Sequence, residues 1–170
     1  MAELAVDAVG RIETPVGPMV VRVQDAAVRS VAFAWEDETG PSGESALIAS
    51  VADQLAAYFA DELDHFEVPL HWDQLGTFQR AVLEETAAVP YGATTTYGAI
   101  ATAVGRAGEA RAVGGALRTN PWTIIVPCHR VIAANGDLTG YGGGPDTGGR
   151  LDVKATLLDH ERRRREPTLF

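Results

Sequence analysis

The chain of 170 residues has room for one ordinary domain or two small ones, and its 46% hydrophobic and 22% charged composition supplies a core and excludes wholesale disorder. A formal net charge of -9 argues, taken whole, against a nucleic-acid binder, because phosphates repel an acidic surface. The charge is unevenly spread, however. Residues 1–75 carry Arg11, Arg22 and Arg29 against 14 acids, a balance of −11, whereas residues 76–170 carry 11 basic and 9 acidic residues, a balance of +2. Such segregation points to two functional halves. The first residues have neither a basic start nor a long apolar run, so no secretory signal is expected, and no stretch approaches the roughly 20 apolar residues of a membrane span. Cys128 is the only cysteine and there are four scattered histidines, so neither a disulfide nor a structural zinc pattern can be assembled. No metal is expected, and a lone thiol fits a reducing, cytoplasmic setting.

In chain order, the β-branched runs 20–23 and 28–33, separated by Gln24-Asp25 and preceded by Pro15-Val16-Gly17-Pro18, predict a small antiparallel sheet. An acidic Gly/Pro/Ser-rich stretch, 36–45, reads as a loop. Leu47, Ile48, Val51, Leu55, Tyr58 and Phe59 then recur at helical spacing over 46–60. An extended piece follows from Asp61 to Trp72, and Asp73-Gln74-Leu75-Gly76 reads as a hinge. Thr77 is expected to cap a helix that ends at Val89-Pro90-Tyr91-Gly92. Three threonines precede a helix over 97–104, Gly105-Arg106-Ala107-Gly108 makes a turn, and a further helix spans 109–118: a helix-turn-helix candidate. Residues 123–126 are expected to form a buried strand delivering Pro127-Cys128-His129-Arg130. A Gly-rich stretch surrounds Tyr141, and a last helix covers 151–164. No internal repeat is present.

Chemistry concentrates in Val126-Pro127-Cys128-His129-Arg130-Val131-Ile132. Pro127 favours extended geometry before it, placing the thiol at or just past the strand end. Neighbouring positive charge favours the reactive thiolate. Adjacent strand residues face opposite sides, so His129 meets the sulfur only if the backbone turns there or a water bridges them. The bland alternative is a buried cysteine beside an incidental histidine. The helix 109–118 carries two mid-helix glycines, each costing about 1 kcal/mol relative to alanine, which serve either a close approach by an outside backbone or packing within the protein. Arg106, Arg111, Arg118 and Arg130 supply charge that phosphates can use. The glycines near Tyr141 offer backbone donors to a flat ligand or simply connect, and they match no nucleotide fingerprint. Arg162-Arg163-Arg164-Arg165 reads as a solvated basic run.

Together these pieces resemble the O6-alkylguanine-DNA alkyltransferase family, suicide acceptors that repair alkylated guanine. The resemblance runs through Pro90-Tyr91-Gly92, Thr96-Tyr97-Gly98, Ala110-Arg111-Ala112-Val113-Gly114-Gly115-Ala116, Asn120-Pro121, the Pro127-Cys128-His129-Arg130 segment, Thr139-Gly140-Tyr141-Gly142-Gly143 and Leu157-Leu158-Asp159-His160-Glu161, in the family's order. It implies an α+β fold: a small N-terminal α/β, ribonuclease H-like domain over 1–75, then a mostly helical domain over 76–170 with a helix-turn-helix for DNA binding and the alkyl acceptor. It implies that Cys128 takes the alkyl group in one irreversible in-line displacement, with His129 acting through a water as base, Glu161 orienting His129 and Asn120 bracing the turn. Arg111 would replace the extruded nucleotide, Tyr97 would push its phosphate and bond the flipped base, and Thr96, Gly114, Gly115, Ala116, Arg118 and Arg130 would meet DNA along the minor groove. Tyr97, Trp122, Thr123, Val131, Tyr141, Gly142 and Gly143 would wall the alkylguanine pocket. The implied partner is double-stranded DNA carrying O6-alkylguanine, or O4-alkylthymine, met by a monomer with no diffusible cofactor.

The chain departs from the family at Leu83, often Trp, at Thr123, often Pro, and in about five extra residues within 145–150. Two other functions remain compatible with the residues: a non-catalytic sensor of alkylated DNA, and a thiol alkyltransferase acting on a small molecule. In the alkyltransferase reading the acidic half faces away from DNA, and the mildly basic half gives modest, salt-sensitive affinity.

Overall fold

The computed structural model describes residues 6–34, 43–141 and 150–165. The expected loop 36–45 therefore lies mostly outside the described residues, as do Gly142, Gly143 and the extra residues up to Arg150. Helix and sheet are mixed, and the chain divides into two compact units, one of Met1–Gln74 with Pro121–Thr123, the other of Leu75–Asn120 with Ile124–Phe170.

The first unit is built on a three-stranded antiparallel meander, β1 (Ala8–Ile12), β2 (Met19–Gln24) and β3 (Ala27–Phe33), in sequential order. Strand β1 is not evident in the sequence, because Gly10 and Arg11 interrupt its apolar alternation. It pairs Ala8 with Val23 through to Ile12 with Met19. Gly10 is needed there for space: a Cβ would sit 2.5 Å from Ile48 of the helix above. That helix, α1 (Ala46–Phe59), starts at Ser45, whose hydroxyl accepts from Ile48 N. It buries Val51, Leu55 and Tyr58, spaced four and three apart, on the face that packs on β1 and β2, each worth about 1.5–3 kcal/mol. The stretch from Asp61 to Trp72 forms no strand and meets the sheet through a bridge between Leu70 and Val28.

The second unit holds α2 (Thr77–Ala87), β4 (Thr95–Thr96), α3 (Tyr97–Ala103), α4 (Ala110–Arg118), β5 (Val131–Ile132) and α5 (Leu151–Arg165). Two sequence expectations fail here. Thr77 does not cap α2, because the cap position falls on Gly76 and no side chain caps the helix. Thr96, by contrast, caps α3 with a 3.1 Å bond from Ala99 N. Residues 123–126 do not form a strand either. Trp122 makes a bridge to Val31 within the first unit, and the chain then turns at once, with Ile124 at φ 73. A β-branched residue rarely adopts that conformation, but the Val126 carbonyl is satisfied by Asn120 Nδ2 at 3.0 Å and needs no strand partner. The apolar run Thr123-Ile124-Ile125-Val126 is thus a buried turn that only resembles a strand.

Candidate active site

Beyond Pro127 the backbone makes a single 3-10 turn, Cys128–Arg130, before entering β5. With three residues per turn, successive side chains point about 120° apart instead of to opposite faces. The backbone turn that lets His129 share a site with Cys128 is therefore present. Cys128 is 8% exposed and forms part of the wall of a cavity of about 360 Å³, with Tyr97, Ala110, Arg111, Gly114, Leu117, Arg118, Thr139, Gly140 and Tyr141.

Burial raises the Cys128 thiol above its ordinary pKa; a hydrogen bond from Asn120, the charge of Lys154 and nearby backbone N–H groups pull the other way without overcoming it. The resting sulfur is a thiol and needs a base. His129 is fully buried, and burial lowers its pKa, keeping the imidazole neutral and able to accept a proton. Its Nε2 lies 2.6 Å from Glu161 Oε1, while its Nδ1, also buried, has no hydrogen-bond partner. For Glu161, burial alone would raise the carboxyl, yet hydrogen bonds and charge from His129 and Arg130 hold it well below the usual carboxylate range.

The cavity wall is tied together by one residue that sequence reasoning missed. Lys154, on the buried face of α5, donates to Val131 O at 2.7 Å, Thr139 O at 2.8 Å and the Tyr97 hydroxyl at 3.4 Å. Tyr97 in turn donates to Thr139 O at 3.1 Å and accepts from Thr139 Oγ1 at 3.0 Å. Desolvation brings the Lys154 ammonium from 10.5 down to about 8, and burial raises the Tyr97 hydroxyl. The available signal was spacing: Val153, Leu157 and Glu161 recur every four residues, and Lys154 sits on the same stripe, seven before Glu161.

The remaining sequence candidates divide. Arg111 and Arg118 are exposed at the cavity, and Gly114 faces Tyr97, whose ring is 3.9 Å from where a Cβ would be. Gly115 borders open space, and Ala116 is buried with its carbonyl taking a bond from Gln79. Tyr141 is buried, its ring edge-on to His129 at 6.2 Å. Four candidates need correction. Arg130 cannot present charge to a phosphate: it is 6% exposed and its guanidinium is spent on Glu161 and on Val89 O at 2.7 Å. Trp122 and Thr123 do not line the cavity. Both are buried in the first unit, where the indole donates to Val28 O at 2.7 Å and stacks obliquely on Trp72. Val131 likewise contributes its carbonyl to Lys154 and no surface to the cavity. Among the described residues no group of His, Cys, Asp and Glu is arranged to hold a metal, and no helix is long and apolar enough to cross a membrane.

A thiol at a cavity wall, backed by a neutral buried histidine and an ionised carboxylate, defines a protein built to make a nucleophile of one cysteine. Residues 77–163 match the DNA-binding domain of 6-O-methylguanine DNA methyltransferase. The chain is 44% identical over 157 residues to the methylated-DNA–protein-cysteine methyltransferase of Mycolicibacterium paratuberculosis, covering 89% of this chain and 90% of the relative. It is 41% identical to that of Methanosarcina acetivorans over 88% of this chain and 94% of the relative. The crystal structure of Mycobacterium tuberculosis OGT in complex with DNA superposes with a TM-score of 0.79 at 38% identity, covering 92% of this chain and 94% of that one. The chain belongs to the methylated-DNA–protein-cysteine methyltransferase family.

Proposed function

We propose that the protein repairs DNA by direct reversal, moving the alkyl group from O6 of guanine to Cys128 once per molecule. The observation that carries this reading is the buried, unpartnered Nδ1 of His129 on the turn that bears Cys128, with Glu161 engaged on the opposite ring nitrogen. His129, through a water, takes the thiol proton. The thiolate attacks the alkyl carbon, the S–C bond forms as the C–O6 bond breaks, and the electron pair leaves with the guanine. Asn120 bonds the sulfur and the Val126 carbonyl together, holding the turn. The stable thioether leaves no route back to a thiol, so turnover ends at one.

The cavity admits a base only after extrusion from the duplex. In this reading α3 and α4, joined by residues 104–109, form a helix-turn-helix, and α4 lies in the minor groove. Arg111 fills the vacated stack, Tyr97 and Thr96 hold the flipped nucleotide, and Arg118 meets the backbone. The open space at Gly115 supports an outside backbone, not internal packing, as the use of that glycine. Tyr141, with Gly142 and Gly143, presents backbone groups to the base. Residues 1–75 make up a ribonuclease H-like α/β domain, which Pro121–Thr123 joins in the first unit, and residues 76–170 the DNA-binding and acceptor domain. The protein acts as a cytoplasmic monomer without a diffusible cofactor.

The test is intact mass after incubation with duplex DNA carrying O6-methylguanine, with O4-methylthymine as a second arm. One methyl gained on Cys128, and none on Cys128→Ser, is expected. Binding of the lesion by folded protein with no transfer would make it a sensor. Transfer from the free base at the duplex rate, unaffected by Arg111→Ala, would make it a small-molecule enzyme.

A further inference from the structure

Glu161 accepts four hydrogen bonds, and only one comes from His129. Oε1 receives His129 Nε2 at 2.6 Å and Arg130 Nη2 at 2.9 Å; Oε2 receives Arg130 Nε at 2.9 Å and the Gly92 backbone N–H at 3.0 Å. Three of these contacts come from groups that can only donate, Arg130 Nε and Nη2 and the Gly92 N–H, and they hold Glu161 as an acceptor-only carboxylate. His129 Nε2 must then carry a hydrogen, and Nδ1 of the neutral ring must present its lone pair.

We propose that Arg130 is a positioning residue for alkyl transfer: its two-pronged grip on Glu161 fixes the His129 tautomer that leaves Nδ1 free to accept the Cys128 proton. The inference rests on the alkyl-transfer reading above and names the group that sets its base.

The grip has its own supports. Arg130 Nη1 donates to Val89 O at 2.7 Å, and its guanidinium lies 5.5 Å from the Tyr91 ring centroid. Arg164 sits 5.2 Å from the same ring, and Arg165 donates to Gly92 O at 3.3 Å. The end of α5 thus braces the Val89-Pro90-Tyr91-Gly92 turn, which holds Arg130 by a carbonyl and Glu161 by an N–H. The other titratable groups around the pair are Cys128 on the same 3-10 turn, Lys154 on α5, and Tyr141 edge-on to the imidazole. The Lys154 and Arg130 charges both disfavour imidazolium, while the Glu161 charge favours it. A lysine at 130 would keep a positive charge but lose the fork, so charge and geometry separate in one substitution.

The experiment compares wild type, Arg130→Lys and Arg130→Met by the single-turnover rate of methyl transfer at saturating methylated duplex, from about pH 5.5 to 9. Nitrogen-15 spectra of the His129 ring without DNA report the tautomer directly. Wild type should show Nε2–H alone. Without Arg130, Glu161 protonates more readily and His129 charges more readily, and both remove the base at low pH. Arg130→Met should therefore mix the tautomers, move the acid limb of the rate profile up by about one pH unit and slow transfer about 10²-fold at neutral pH. Arg130→Lys should fall between, and DNA affinity should hold within about twofold. An equal rate loss at every pH with an unchanged tautomer would overturn the proposal, as would weakened DNA binding with an unchanged saturated rate. If Arg130→Met does not fold, Arg130→Lys decides by the same two readouts. Wild-type protein that fails to take up methyl while its ring spectra respond to Arg130→Lys would sink the alkyl-transfer reading and leave the tautomer assignment standing.

Discussion

The two units bury very different things. In the first, the interior is Met19, Val21, Phe33, Leu55, Tyr58 and Trp122, and its buried polar residues, Gln24 and Thr123, are both neutral. In the second, His129, Arg130, Lys154 and Glu161 are all buried, and together with Cys128 they form a single neighbourhood. Taking ions out of water costs several kcal/mol each unless they are paired and hydrogen-bonded, so three of them (Arg130, Lys154 and Glu161) beside a neutral His129 are a poor way to hold a fold together. The first unit spends its interior on stability and the second on chemistry. The net acidity of the chain belongs to the unit that, among the described residues, buries no charge.

That contrast breaks most easily at Glu161. Removing it by Glu161→Ala leaves Arg130 and His129 buried without their shared acceptor, and the loss should be about 3–5 kcal/mol in denaturant unfolding, with transfer to Cys128 abolished. Gln24→Ala in the first unit, where the side chain accepts from Arg29 at 2.8 Å, should cost only about 0.5–1.5 kcal/mol and leave transfer intact. Equal losses from the two substitutions would erase the distinction.

Lys154 sharpens it through pH. Its folded pKa of about 8 lies below the ordinary 10.5, so between those values the unfolded chain binds a proton that the folded chain does not. Stability from this group must rise with pH across that window, opposite to the sign expected of a lysine that gains an anionic partner. Thermal melts at about pH 7.5 and 10 should show the rise in wild type and its absence in Lys154→Met. The same variant loses the tethers to Val131, Thr139 and Tyr97, and its transfer rate should drop while the first unit melts as before.

The legible and illegible parts of the sequence follow the same division. Helices α1, α3, α4 and α5 were readable because their apolar spacing or their caps are local properties of the chain. The pairing of His129 with Glu161, 32 residues apart, came through resemblance and not through spacing. Strand β1 was missed because Gly10 serves the helix above it and not the strand. The run 123–126 was misread because a β-branched turn, buried and held by Asn120, has the composition of a strand. Arg130 looked like a phosphate contact for want of any local sign that its partners, Val89 and Glu161, lie far along the chain on either side.

Salt dependence gives a smaller effect. Arg118 is exposed at the cavity, and Arg118→Ala should lower the slope of log affinity against log salt by about 1, through loss of one phosphate contact. Asp64 of the first unit is also exposed and pairs with His65 at 2.7 Å. Asp64→Asn should leave the slope where it was. A slope that responds to Asp64 as strongly as to Arg118 would put the acidic unit on the binding face and undo the assignment of charge to halves.

The least effect, and the cleanest separation, is expected at the β2–β3 hairpin. Asp25 and Ala26 occupy its two central positions with φ of 50 and 59, the left-handed pair of a type I′ turn. Aspartate tolerates that conformation, whereas alanine pays about 1–2 kcal/mol for crowding its Cβ against the following carbonyl. Ala26→Gly creates the favoured Asp-Gly pair, and relief of that strain outweighs the added freedom of glycine in the unfolded chain, which is about 0.5–1 kcal/mol. A net gain of about 0.5 kcal/mol should raise the melting temperature by about 1–2 °C, and the rate of methyl transfer should not change at all. Because the hairpin belongs to the unit that buries no charge among the described residues, any change in that rate would mean the two interiors are not independent.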